Sequence, residues 1–110
     1  MKLELFKTLW GDQRPWSTAI DELRAAGFDG IEARIPATDA DAREKARLLR
    51  DENIPYIAIA LTGGGVIPRQ NATLADHIGD LQAALDRAAL MAPRFISVLG
   101  GNDRWGAAQQ

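Results

Sequence analysis

The run Ala25-Ala26-Gly27-Phe28-Asp29-Gly30-Ile31-Glu32-Ala33-Arg34-Ile35 joins the end of a helix to the start of a strand. Gly27 can take the left-handed conformation that closes a helix, and Phe28 can fold back onto the last turn. From Ile31 the chain alternates, with Ile31, Ala33 and Ile35 on one side of the strand and Glu32 and Arg34 on the other. A helix-Gly-strand junction this short lays the helix back along the sheet, as in a βαβ unit. One face of the strand is therefore expected beneath helices, and the other carries chemistry or a salt bridge.

Upstream, Leu3 and Leu5, with Lys7 in phase, alternate with Glu4, Phe6 and Thr8, which predicts a first strand ending near Trp10. Pro15 suits a first helical turn, and Trp16, Ile20 and Leu23 follow at helical spacing. Downstream, Pro36 ends the second strand. Thr38 with Asp41 has the spacing of a capping box, and Ala42, Ala46 and Leu49 form the apolar stripe of a second helix reaching Asn53. Ile54-Pro55 repeats the earlier junction in other letters before the strand Tyr56–Leu61. A long loop over 62–71, opened by three glycines, leads to Thr73 and Asp76, which cap a third helix. In that helix Leu74, Ile78, Leu81, Leu85 and Ala89 share a face. It stops near Pro93, and Phe95–Leu99 reads as a fourth strand.

Strict alternation of strand and helix implies a parallel sheet with right-handed crossovers. A doubly wound sheet needs strands that are aliphatic on both faces. Here one face offers Leu3, Leu5, Ile31, Ala33, Ile57, Ile59, Ile96 and Val98, expected beneath helices. The other offers Glu4, Phe6, Thr8, Glu32, Arg34, Ala58, Ala60, Ser97 and Leu99, a polar and small set that suits a barrel interior. The fold class is thus α/β, in the order β1α1β2α2β3α3β4, half of a (β/α)8 TIM barrel. A whole barrel takes roughly 200 to 250 residues, so residues 1–110 are expected to be a single domain, the N-terminal half of a longer barrel. The rivals are a non-catalytic half barrel that assembles with another chain and a flavodoxin-like small binding domain.

A hydrophobic share of 46%, a charged share of 25% and a net charge of -2 describe a globular chain without the basic stripe of a nucleic-acid binder. No apolar run approaches a membrane span, and Met1–Leu5 enters a strand without the regions of a signal peptide, so the cytoplasm is the expected compartment. The chain has no cysteine and one histidine, so it contains neither a thiolate site nor a two-histidine metal site. His77, between Asp76 and Asp80 in the third helix, reads as a solvent-facing residue.

The pieces Leu3-Glu4-Leu5-Phe6-Lys7, Gly27-Phe28-Asp29-Gly30-Ile31-Glu32 and Gly100-Gly101-Asn102-Asp103 resemble the opening units of the xylose isomerase-like TIM barrels, the sugar phosphate isomerase/epimerase family. The resemblance implies a divalent metal (Mn, Mg, Zn or Co) held at the barrel mouth by Glu, Asp and His of later strands, and proton transfer between neighbouring carbons of a small sugar or polyol. Because those ligands lie on later strands, no metal is expected to bind this chain tightly. The expected partners are a small sugar or polyol and, through self-association or pairing, a missing C-terminal half; no nucleic acid and no membrane is expected.

Candidate substrate-binding residues follow from position. Glu32 and Arg34 lie near the C-terminal end of one strand face, where a carboxylate can orient a hydroxyl and a guanidinium can hold an anion bidentately. The alternative is that they pair with each other or with Glu4. Trp10 can cover a sugar face from the end of the first strand, or simply pack at the rim. Asn102, Asp103, Arg104 and Trp105 combine hydrogen-bonding, charged and stacking groups on one loop, although turn chemistry also accounts for Gly-Asn-Asp. Gly63-Gly64-Gly65 lacks the spacing of a P-loop or dinucleotide fingerprint and reads as a mobile lid or a turn.

Overall fold

Each helix is stopped by a residue in the left-handed region, and this turns the chain back into a strand three times. The computed structural model describes residues 1–108. Helices α1 (Trp16–Ala25), α2 (Asp39–Asp51) and α3 (Leu74–Ala89) are followed by Gly27 at φ +81°, Asn53 at +54° and Ala92 at +46°. After α1, Phe28 N–H donates to the Leu23 carbonyl at 2.9 Å and Gly27 N–H to that of Arg24 at 3.2 Å. After α2, Ile54 and Asn53 donate to Leu49 and Arg50 at 2.8 and 3.1 Å. Both are Schellman closures, which satisfy carbonyls the helix leaves unpaired. At the other ends, Thr38 Oγ1 accepts from Asp41 N–H, while Thr73 and Asp76 form a reciprocal capping box.

The strands are β1 (Phe6–Thr8), β2 (Gly30–Arg34), β3 (Tyr56–Leu61) and β4 (Phe95–Leu99), all parallel and adjacent in chain order. β1 is shorter than its sequence pattern predicts. Leu5 is already engaged, its N–H by the Asp29 carboxylate at 2.8 Å and its carbonyl by the N–H groups of Asp29 and Gly30. Leu3 and Leu5 are left exposed ahead of it.

Parallel partners share a face, so the pairs Ile31–Tyr56 and Ala33–Ala58 define one side of the sheet. That side is buried with Ile20 and Leu23 of α1 and Ala42 and Leu49 of α2. α3 packs on β3, and its His77 meets Thr62, which continues the buried side just past that strand. All three helices thus cover one face. The sequential order and one-sided cover are those of a (β/α) half barrel and not of a doubly wound, flavodoxin-like sheet. Arg94, just before β4, forms an ion pair with Glu4, just before β1.

Two sequence expectations about faces are corrected. Tyr56, Ala58 and Ala60 of β3 lie beneath the helices, while Ile57, Ile59 and Leu61 point to the uncovered side beside Glu32 and Arg34. Alternation tells which residues share a face but not which face is covered. Small residues at 58 and 60 let helices approach closely, and Ile20, Leu23 and Leu49 bring the bulk. In α3 the inward residues are His77 and Ala88, with Leu81 and Ala84 half-buried, while Leu74, Ile78 and Leu85 are exposed. Spacings of four, three and four make 77, 81, 84 and 88 a stripe as regular as the predicted one. Among the described residues no helix is long and apolar enough to cross a membrane.

Two outcomes follow from this packing. A Cβ on Gly30 would lie 2.5 Å from Phe6 Cε1 and 2.6 Å from the Pro55 carbonyl, so Gly30→Ala should lose about 1–3 kcal/mol in urea unfolding. Burial pushes the Tyr56 hydroxyl, which donates to the Ala33 carbonyl at 3.0 Å, above its ordinary value of 10.0. Between that value and the raised one the unfolded chain ionises and the folded chain does not, so stability should fall as pH rises past 10.0. Tyr56→Phe should flatten this alkaline slope in unfolding curves taken at several pH values.

Candidate functional site

The loops at the C-terminal ends of the strands carry Trp10 and follow Arg34. At the end of β1, Leu9 N–H bonds the Glu32 carbonyl at 2.8 Å and the chain turns through Gly11 and Asp12. Arg14 then clamps the loop, donating to Asp12 at 2.8–3.0 Å and to Glu22 of α1 at 2.6 and 2.8 Å. The hydrogen bonds from Arg14 hold the Asp12 carboxyl down at about 2 and lower that of Glu22. The fixed loop presents Trp10, 53% exposed, over a cavity of about 420 Å³ that Arg34, Ala33, Trp16 and Ile59 also line. An aromatic face beside a guanidinium suits a small polar ligand with a flat apolar side.

Arg34 closes β2 and also lines a second cavity, of about 310 Å³, between the β2–α2 and β3–α3 connections. Glu32 sits one pleat earlier on the same face, half-buried, and is not in the wall of either cavity. Its carboxylate and the Arg34 guanidinium make no ion pair with each other or with Glu4, whose partners are Arg94 and Lys2. Thus Trp10 and Arg34 converge while Glu32 stands apart on the open face.

The loop after β4 is organised around His77. Against the expectation of a solvent-facing residue, His77 is only 4% exposed. Its Nδ1 lies 2.6 Å from Thr62 Oγ1 and receives Gly101 N–H at 3.4 Å, while Trp105 packs edge-on at 4.7 Å. With Nδ1 accepting Gly101 N–H it carries no hydrogen, so Thr62 Oγ1 donates to it and the imidazole hydrogen sits on Nε2; the opposite tautomer would send the Thr62 hydroxyl to the Leu99 carbonyl at 3.5 Å and give up the Gly101 contact. In both cases Nε2 is buried without a partner among the described residues. The sequence misleads here because both acidic neighbours are occupied: Asp76 caps the helix and Asp80 accepts Gly63 N–H at 2.8 Å. The available signal was that His77 sits in the first turn of α3, where the long loop must pass over it. Gly63, at φ +72°, runs so close that a Cβ there would lie 2.5 Å from the imidazole.

The four loop residues singled out by composition do not join Trp10 and Arg34. Asn102 accepts the N–H groups of Arg104 and Trp105, Asp103 and Arg104 are exposed, and Trp105 covers His77. None of them lines either cavity. The residues that sequence reasoning missed are Arg69, Asp80 and Arg87, which complete the second cavity. Among the described residues, no three or more His, Cys, Asp or Glu side chains gather into a group able to hold a metal ion. The residues present therefore do not fit the divalent-metal cradle that the family resemblance implies.

Thr62→Val removes the hydroxyl that holds His77 while preserving shape. It should cost about 1–3 kcal/mol in denaturant unfolding and speed amide exchange at Gly63 and Gly101. Unchanged stability and exchange would show that this contact holds neither loop.

No protein-family model matches the chain, and neither the curated proteins nor the solved structures offer a match to it, so its own geometry carries the functional reading.

Proposed function

We propose that the chain is the N-terminal half of a sugar isomerase- or epimerase-like (β/α)8 barrel and that its part in the reaction is to position a small sugar or polyol. The observation that supports this most is the face of the sheet left uncovered by helices, with Trp10 and Arg34 around one cavity at its C-terminal end. Ligands of such barrels bind at this end, where each βα loop contributes a group. Trp10 and Arg34 hold the ligand and Glu32 faces the space that further strands would enclose. The groups that move the proton, and any metal, belong to those strands. The cytoplasm remains the expected compartment.

A second reading, a non-catalytic half barrel assembled with another chain, is favoured by one specific observation. Ile57 and Leu61, both half-buried, share the open side with Phe95, 68% exposed, and Leu99, and β4 is an edge strand of the sheet. Such a patch and edge favour association. In both readings the uncovered face meets further strands; they differ in whether a polyol is bound.

Calorimetric titration with xylitol separates the two. Positioning by Trp10 predicts weak but saturable binding, reduced about fivefold by Trp10→Ala, as loss of about 1 kcal/mol of stacking requires. Binding that Trp10→Ala leaves untouched, or no binding at all, removes the polyol reading.

A further inference from the structure

We propose that Arg34, Arg69 and Arg87 form an anion site at the C-terminal ends of β2 and β3, taking the phosphate or carboxylate of a small polyhydroxylated ligand. This deepens the polyol reading and rests on it for the remainder of the ligand; the anion contact is tested separately.

The cavity of about 310 Å³ has three arginines in its wall against one carboxylate, that of Asp80. Asp80 makes no ion pair with any of them, and its single charge leaves the set net positive: its Oδ2 accepts Gly63 N–H at 2.8 Å, which ties it to the start of the β3–α3 loop. Arg87 is pre-positioned, donating from Nε to Asp39 at 3.0 Å and from Nη1 to the Pro36 carbonyl at 3.3 Å. A guanidinium carries five N–H donors, so those contacts leave others available.

Arg69 and Arg34 make no side-chain hydrogen bond or ion pair with any described residue. Arg69 is nonetheless placed. Its N–H donates to the Gly63 carbonyl at 2.8 Å, and its side chain lies over Gly64 so closely that a Cβ there would come within 2.5 Å of Nη1. Gly64, at φ +98°, thus supplies both the turn and the room for the guanidinium. The floor is apolar and small, with Ala83 and Ala84 of α3 beside Ile59 and Leu61. Cations around such a floor suit a compact oxyanion attached to a short carbon chain, because planar guanidinium forks match phosphate and carboxylate oxygens. Arg34 lines this cavity and the Trp10 cavity alike, so one ligand can place its anion here and its carbon chain under Trp10.

The test follows arginine Nε–Hε resonances of the full chain by NMR during titration with inorganic phosphate, gluconate and xylitol at constant ionic strength. Saturable shifts of Arg69 and Arg34, with the outward Arg47 of α2 unmoved, are expected with phosphate, gluconate or both. Phosphate alone supports a phosphate ester as ligand, and gluconate alone supports a sugar acid. Arg69→Ala should weaken the binding about tenfold or more, and Arg69→Lys should restore part of it. The wild-type titration decides the matter even if a variant fails to fold. Absence of saturable shifts at Arg34 and Arg69 with either anion overturns the site, as does equal binding by wild type and Arg69→Ala. Xylitol binding without anion binding would overturn the site alone and leave the polyol reading standing. Anion binding without xylitol binding would do the reverse.

Discussion

Ile31 and Tyr56, side by side in the parallel register of β2 and β3, are buried beneath helices that lie on one side only, and the rest of the molecule follows from that asymmetry. The helix side is filled by complementary sizes, with alanines at 33 and 58 clustered with Ile20, Leu23 and Leu49. Because every crossover has the same hand and every helix is turned back by a left-handed residue, no helix among the described residues reaches the other face. Glu32, Arg34 and the Ile57–Leu61 row are consequently presented to the uncovered side.

Both ends of the sheet carry ion pairs. At the N-terminal end Glu4 meets Arg94 and Arg24 meets Glu52, whose carboxylate and carbonyl both receive its guanidinium; at the C-terminal end Arg14 meets Asp12 and Glu22, and Arg87 meets Asp39. At the C-terminal end Glu32, Arg34 and Arg69 lack such partners among the described residues, and His77 keeps one buried nitrogen unsatisfied. Arg34 and Arg69 are exposed and so remain hydrated and open to a ligand, whereas the His77 nitrogen is desolvated without a partner.

Much of the fold was legible in the sequence because its signals are local. The junctions at Gly27, Asn53 and Ala92, the caps at Thr38 and Thr73, and the four apolar runs each report backbone preferences over a few residues. Together they are enough for the order of elements and a parallel sheet. The site was legible only where it sits on such a signal, as with Arg34 at the end of β2 and Trp10 after β1. His77 and Arg69 were not, since their surroundings come from a long loop folding back on α3, a contact that no periodicity encodes.

By itself, then, the sequence determined which residues form strands and helices, where each helix stops, and which side chains within a strand share a face. Only the tertiary structure decided which face of β3 is covered, which stripe of α3 turns inward, and which charged groups meet. Those choices depend on how closely Ala58, Ala60 and Ala88 let a helix approach the sheet, and on where the loop after Thr62 comes to rest. Both are outcomes of packing between segments distant in the chain, where the volumes and hydrogen-bonding needs of all partners must be met at once.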